Sequence, residues 1–111
     1  MKENELRIGN YVILDANADI KIIQWSSNHL WAIGEGLEEF DNFEPVPLSE
    51  QFCIDFGFES NTIWYRKGNH AINLADGIYE YKNILIKEIH FVHQLQNIYF
   101  EIEGIELTKT I

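Results

Sequence analysis

An amphipathic stretch near the C-terminus, residues 89–103, constrains the fold more than any other part of the chain. When it is projected as a helix, at about 100° per residue, its large apolar side chains fall within one arc of roughly 120°. These side chains belong to Phe91, Val92, Leu95, Ile98, Tyr99 and Ile102. Gly104, the residue type that most often ends a helix, follows directly. The pattern predicts one long helix with a buried side.

The opposite side of this predicted helix is polar but carries no charged side chain between His90 and Phe100. Exposed helix faces usually contain charges. Phe100 projects into this neutral face, so either a second layer of the same chain covers it or it anchors a contact with another chain. The interaction patch predicted on the second alternative consists of His93, Gln96, Asn97 and Phe100, with His90 and Gln94 as secondary members.

The N-terminal part of the chain has the pattern of a small antiparallel β unit. Three short runs rich in β-branched and aromatic residues predict strands. They span residues 7–14, 20–25 and 30–33. Tight connections between them, including a polar turn at residues 26–29, favour a curled sheet, which we predict to be an SH3-like partial barrel. In the segment that follows, residues 34–47, acidic residues alternate with Leu37, Phe40 and Phe43, and we expect an acidic connector pinned by its aromatic residues.

A short helix is predicted over residues 50–56. Ser49 is placed to cap its start, and Gly57 to end it in a Schellman motif that folds Phe58 back onto Cys53. Cys53 is then a small core residue, because no Lys, Arg or His lies near it in sequence to lower the pKa of its thiol.

An antiparallel β-meander is predicted between the two helices. Its four strands span residues 62–66, 71–74, 78–81 and 84–87. The Asp76-Gly77 pair predicts a type I′ hairpin turn, in which both central residues need positive φ. The tail after Gly104, which includes Ile105, Leu107 and Ile111, is expected to dock as an edge strand or over the polar face of the long helix.

These elements predict an α+β fold in which the long helix packs on the sheet. We expect a single domain over residues 1–111, with possible smaller lobes at 1–36 and 45–111. A composition of 46% hydrophobic and 14% aromatic residues is that of a folded protein.

The charge balance bears on the partners that the chain can bind. The formal charge is −10, from 18 acidic and 8 basic residues, whereas contacts to nucleic-acid phosphates need clustered Lys and Arg. We therefore expect no direct nucleic-acid binding, although an acidic protein can mimic DNA and bind a basic host protein. The chain has no apolar signal segment and no run near the ~20 apolar residues that cross a bilayer. A cytoplasmic location without membrane contact is expected.

The sequence lacks the motifs of the common catalytic and metal sites. No Gly-rich phosphate loop, Gly-x-Ser-x-Gly elbow or His-Glu-x-x-His is present, so we predict no enzyme, no catalytic residues and no cofactor. His90 and His93 lie three residues apart, but zinc needs three or four ligands and no neighbouring residue completes the set, so no metal site is predicted. Aromatic residues such as Trp25, Trp31 and Trp64 are candidates to line a ligand groove. An anionic ligand would need Arg7, Arg66 or Lys67 there.

Four segments, at both ends and in the middle of the chain, carry a resemblance to a known family. They are Glu5-Leu6-Arg7-Ile8-Gly9-Asn10-Tyr11-Val12, Pro45-Val46-Pro47-Leu48-Ser49, Phe56-Gly57-Phe58 and, above all, Val92-His93-Gln94-Leu95-Gln96-Asn97-Ile98-Tyr99-Phe100. The chain resembles short uncharacterised proteins of Bacteroidetes genomes, prophages and phages, which end in Val-His-Gln-Leu-Gln-Asn-Leu-Tyr-Phe. Ile98 replaces the usual leucine, and the helix end at residues 101–104 is more acidic than in those relatives. The resemblance implies a mobile-element setting and supplies no catalytic residues.

The expected function is that of a non-enzymatic accessory protein of a phage or mobile element. It would act through a protein partner or through self-association at the helix face around Phe100. Two alternatives remain open at this point: a small-molecule-binding protein that sequesters its ligand, and an acidic DNA mimic that inhibits a host protein.

Overall fold

The protein contains helices and two antiparallel sheets, which confirms the predicted α+β class. The computed structural model describes residues 1–16, 19–61 and 63–110. Four residues that the sequence predictions cover lie outside this description, namely Asn17, Ala18, Thr62 and Ile111. The chain divides into two units, Met1–Val46 and Pro47–Ile111.

The first unit is built on a three-stranded antiparallel sheet in the order β2-β1-β3. Its elements are a 3-10 helix at Glu3–Glu5, β1 (Tyr11–Ala16), β2 (Asp19–Gln24), α1 (Ser27–Gly34), a 3-10 helix at Phe40–Asn42, and β3 (Phe43–Pro45). The core forms around the indole of Trp25, which meets the rings of Phe43 and Phe40 edge-on at 5.0 Å and 5.9 Å. Phe40 and Phe43 thus pin the acidic segment as predicted. Leu37, between α1 and these aromatic residues, is 69% exposed.

The predicted third strand, residues 30–33, is wrong, because these residues lie in helix α1. Ser26 caps the start of this helix, and its backbone N–H donates to Nδ1 of His29 at 3.0 Å. Ser at this position is a common helix start, so the segment 26–29 that we predicted as a turn is the first turn of the helix. The SH3-like partial barrel is not confirmed, since the sheet contains β3 in place of that strand.

The second unit contains a five-stranded antiparallel sheet in the order β4-β5-β6-β7-β8. Its elements are α2 (Glu50–Asp55), β4 (Glu59–Asn61), β5 (Trp64–Lys67), β6 (His70–Asn73), β7 (Ile78–Tyr81), β8 (Ile84–Glu88) and α3 (Val92–Glu103). The predicted meander is confirmed in β5 to β8. The short strand β4, which the sequence pattern did not predict, extends it at one edge.

Helix α2 has the ends that the sequence predicts. The hydroxyl of Ser49 accepts the N–H of Phe52 at 3.3 Å. Gly57 has φ +90°, and the N–H of Phe58 donates to the carbonyl of Cys53 at 2.9 Å, which is the long hydrogen bond of a Schellman motif. Phe58 and Cys53 are both buried, so this closure also contributes to the core.

The C-terminal tail docks on the end of α2. Both the N–H and the hydroxyl of Thr110 donate to the carbonyl of Asp55, at 2.7 Å and 3.1 Å, and so satisfy a carbonyl that the helix leaves open. Leu107, which lies between Gly104 and Thr110 in the sequence, is buried. Residues 105–110 form no strand, so the edge-strand alternative is wrong for the described part of the tail.

The type I′ turn occurs at Lys82-Asn83 rather than at Asp76-Gly77. Lys82 and Asn83 have φ +52° and +66°, the backbone conformation that such a turn requires of both central residues. Residues 74–77 instead form a four-residue loop, because the side-chain oxygen of Asn73 accepts the N–H of Asp76 at 3.2 Å. This side-chain turn competes with the tighter hairpin.

Candidate functional site

Helix α3 begins at Val92, three residues later than predicted. The side-chain oxygen of Gln94 accepts the N–H groups of His90 and Phe91, at 2.8 Å and 3.1 Å, and thereby satisfies two backbone donors at the helix start. Gln94, predicted as a secondary member of the interaction patch, serves as part of this cap. His90 precedes the helix and is exposed. Gly104, at φ +72°, ends the helix as predicted.

The predicted interaction patch is only partly on the surface. His93 and Gln96 are each 2% exposed, so the prediction that they form an accessible patch is wrong. The same chain covers these two side chains, and the imidazole of His93 stacks on the ring of Phe91 at 6.0 Å. Asn97 is half-buried and Phe100 is 37% exposed. The accessible remainder of the patch therefore consists of Asn97 and Phe100.

The apolar side of α3 packs as predicted. Val92, Leu95, Ile98 and Tyr99 are buried, and Phe91 and Ile102 are half-buried. The last turn of the helix is joined to the sheet of the second unit by the contact of His70 with Glu103.

His70 on β6 connects three elements of the second unit. Its Nδ1 is hydrogen-bonded to the hydroxyl of Tyr79 on β7, and its Nε2 lies 2.6 Å from Oε1 of Glu103 on α3. The rings of Tyr81 and Tyr99 lie 4.9 Å and 4.7 Å from the imidazole, centre to centre. Sequence reasoning missed this cluster, since no local pattern relates residues from β6, β7 and α3.

The order tyrosine, histidine, glutamate resembles a nucleophile, its base and an orienting acid. Tyr79 is nevertheless fully buried, and burial raises the pKa of its phenol well above the usual value near 10. The phenol stays protonated at neutral pH and has no surface at which a substrate can reach it. The cluster is therefore a buried hydrogen-bonded connection.

Cys53 is equally unsuited to react. It is fully buried on α2, and burial, with a further contribution from the negative charge of Glu50, raises the pKa of its thiol to about 12. Its protonated thiol packs as a small core group, as the sequence predicted. No group of three or more His, Cys, Asp or Glu residues that could hold a metal ion occurs within residues 1–16, 19–61 and 63–110.

Strand β8 exposes apolar side chains at the edge of the five-stranded sheet. It is the last strand in the order and its five residues are exposed, including Ile84, Leu85 and Ile86 at 65%, 61% and 44%. Tyr79 pairs with Lys87 and Glu80 with Leu85, so Ile86 is the extra residue of a β-bulge. Exposed apolar edge strands are typical sites of pairing with another chain.

A groove of about 600 Å³ opens on the first unit. Its apolar lining consists of Leu6, Ile8, Trp25 and Leu30, and its polar lining of Glu3, Asn4 and Arg7. Trp25 and Arg7 were both candidates from sequence for a ligand groove. Of the other tryptophans, Trp31 is 62% exposed, and Trp64 is half-buried beneath the guanidinium of Arg66 at 5.5 Å.

Comparison of the chain with models of known protein families, with curated proteins and with solved structures found no match. Within the described residues, no helix is both long enough and apolar enough to span a membrane.

Proposed function

We propose that this protein is a non-enzymatic accessory protein that acts through protein contacts and self-associates through β8. The observation that carries the proposal is the exposure of three consecutive large apolar side chains, Ile84, Leu85 and Ile86, on the outermost strand of a sheet. Association removes such surface from water, which is the main driving force for most protein assembly.

The bulge at Ile86 shapes the proposed contact. It interrupts the regular spacing of the backbone groups that a long added strand would need. Packing of the side chains of β8 therefore contributes more to the contact than a continuous ladder of backbone hydrogen bonds.

The charges around β8 suit a second copy of the chain, although the whole protein carries −10. Lys82 and Lys87 lie on either side of the apolar run, and Glu88 follows it. When two copies of β8 pair antiparallel about a two-fold axis, the start of one strand lies beside the end of the other. Lys82 then approaches Glu88 of the second copy, and opposite charges in that position are favourable.

The remaining parts of the proposal rest on separate support. The buried thiol of Cys53 and the buried phenol of Tyr79, both with raised pKa, favour a non-enzymatic role. The resemblance of residues 5–12 and 92–100 to a phage and prophage family supports the mobile-element setting. A single free, buried cysteine is typical of proteins from a reducing compartment and supports the cytoplasm.

Light scattering across a concentration series tests self-association. We expect the mass of the wild type to rise above the 13.0 kDa of one chain as the concentration increases. The mass of Leu85→Lys should remain that of one chain at every concentration. Ile20→Lys is the matched control, because Ile20 is 69% exposed on β2 and the substitution makes the same change in charge. If Ile20→Lys associates like the wild type while Leu85→Lys does not, the loss of association is specific to β8.

A wild type that stays monomeric at every concentration overturns self-association. If Leu85→Lys associates like the wild type, β8 is not the contact. Phe100→Asp then tests the accessible remainder of the predicted patch, and a monomeric Phe100→Asp would move the contact to α3. Circular dichroism of each variant checks that it has folded.

A further inference from the structure

The surface around helix α1 combines exposed apolar side chains with a groove. Ile8 and Leu30 line the groove, yet these residues are 54% and 40% exposed. Trp31 follows Leu30 in the helix and is 62% exposed. Leu37, whose N–H donates to the carbonyl of Ala32 at 2.9 Å, is 69% exposed beside the end of the same helix. Exposed tryptophan and leucine side chains beside a groove are typical of protein contact surfaces.

The first unit is strongly acidic, although Arg7 lines the groove itself. Residues 1–46 contain nine acidic and three basic residues, and no Lys or Arg occurs between Lys21 and Arg66. The segment that follows α1 carries Glu35, Glu38, Glu39, Asp41 and Glu44, all exposed except the half-buried Glu38. The apolar side chains of α1 therefore border an acidic region, which attracts a basic partner and repels an acidic one.

The shape of the groove distinguishes between classes of occupant. Pockets for small molecules enclose most of the ligand surface. Here Ile8 and Leu30 of the groove are largely open to solvent, and Trp31, next to Leu30 in α1, and Leu37, bonded to Ala32 at the end of α1, are exposed apolar residues outside the groove lining. An elongated occupant that lays one apolar face across this surface fits it better than a compact ligand.

We infer that the groove and α1 of the first unit dock a basic, amphipathic segment of another protein. The apolar side chains of that segment would cover Leu30, Trp31 and Ile8, and its Lys and Arg side chains would meet the acidic residues that follow α1. This is the helix-in-groove mode of recognition, in which apolar anchors provide affinity and flanking charges provide orientation. The site is formed by residues of the first unit and β8 belongs to the second, so it adds a second contact to the proposed function.

Calorimetric titration of the full chain with designed peptides tests the inference. The probe is a helix-forming peptide of about 14 residues with leucines on one face and lysines on the other. Two matched peptides replace all lysines by glutamate or all leucines by glutamine. We expect the leucine–lysine peptide to bind at least about tenfold more tightly than either matched peptide.

Variants of the protein locate the site. Leu30→Ser and Trp31→Ser are each expected to weaken binding of the leucine–lysine peptide about tenfold, as loss of an anchor residue does. Ile20→Ser, on the exposed surface of β2, is the matched control and should bind like the wild type. Thermal unfolding of each variant, compared with the wild type, separates loss of a contact from loss of the fold.

Several results would overturn the inference. If the peptide with glutamate in place of lysine binds as tightly as the leucine–lysine peptide, charge plays no role in binding. If the peptide with glutamine in place of leucine binds as tightly, binding is nonspecific charge attraction. Unchanged affinity in folded Leu30→Ser and Trp31→Ser places the peptide elsewhere. A low-mass compound that mass spectrometry detects after denaturation, and that competes with the peptide, makes the groove a small-molecule site.

Discussion

Nε2 of His70 lies 2.6 Å from Oε1 of Glu103, so a buried imidazole on β6 is joined to the last turn of α3 across 33 residues of sequence. The Glu103 side chain is 36% exposed and reaches inward to make this contact. With Nδ1 hydrogen-bonded to the hydroxyl of Tyr79, both ring nitrogens of His70 have partners from other elements. The imidazole thereby links the helix to two neighbouring strands of the sheet.

We predict that Glu103→Ala lowers the free energy of unfolding by about 1–2 kcal/mol, because it leaves a buried imidazole N–H without its acceptor. Glu103→Gln keeps a side-chain oxygen at the same distance and should lose less. Urea denaturation measures both values. Glu101→Ala, on the exposed part of the same helix turn, is the control and should change stability by less than about 0.5 kcal/mol. Equal losses in Glu103→Ala and Glu101→Ala would show that the contact with His70 contributes nothing.

The buried phenol of Tyr79 should make the folded protein less stable at alkaline pH. Burial raises its pKa in the folded protein, whereas the phenol of the unfolded chain ionises near pH 10. Below about pH 10 both states are protonated, and the stability does not depend on this group. Above about pH 10 only the unfolded state releases the proton, so the free energy of unfolding falls as pH rises.

Tyr79→Phe separates this effect from other alkaline titrations. At neutral pH we expect it to destabilise the fold by about 1 kcal/mol, because His70 loses a hydrogen bond. Between about pH 10 and 11 the free energy of unfolding should fall less steeply with pH in Tyr79→Phe than in the wild type. The two slopes should differ by up to about 1.4 kcal/mol per pH unit. Urea denaturation at a series of pH values measures both slopes. Identical slopes would mean that Tyr79 ionises as easily in the folded protein as in the unfolded chain.

Gly77 occupies a position where the backbone and its surroundings both exclude a side chain. Its φ is +66°, and an added Cβ would lie 2.7 Å from Nδ1 of His90 and 3.1 Å from the carbonyl oxygen of Ile89. We predict that Gly77→Ala lowers the free energy of unfolding by about 2–4 kcal/mol, from the left-handed conformation and the clash together.

Gly68→Ala is the control for the backbone contribution. Gly68 has φ +58°, but no neighbouring atom of the described residues lies within 4 Å of an added Cβ. This variant should lose only the conformational component, about 1 kcal/mol. Thermal or urea denaturation of both variants gives the difference, which measures the packing of His90 and Ile89 against Gly77. If the two variants lose the same amount, that packing adjusts without cost.

Local signals in the sequence predicted the elements whose ends depend on nearby residues. Ser49, Gly57 and Gly104 form caps within one helix turn, and each functions as predicted. The same kind of signal was present at Ser26, but the apolar run after it suited a strand as well as a helix. Short apolar runs are ambiguous in this way because helix and strand periodicities differ little over four residues.

Properties that depend on the arrangement of distant residues could not be predicted. The neutral face of the long helix was compatible with cover by the same chain or by another, and only the structure places His93 and Gln96 in the interior. Ile84-Leu85-Ile86 predicted a strand, but whether the strand is internal or at the edge depends on the order of the whole sheet. The contact of His70 with Glu103 likewise requires α3 to be placed on β6.

The two proposed contacts should respond to salt in opposite directions. Self-association at β8 brings together two chains of charge −10, so salt that screens their repulsion should strengthen it. Docking of a lysine-rich peptide on the acidic surface that follows α1 gains from attraction, which the same salt weakens. We predict that raising the salt from about 0.05 M to 0.5 M increases the mass measured by light scattering and lowers the peptide affinity several-fold. Peptide binding that is insensitive to salt would contradict a role for the acidic residues. Self-association that weakens as salt is raised would mean that charge pairs, rather than the apolar side chains of β8, hold the two copies together.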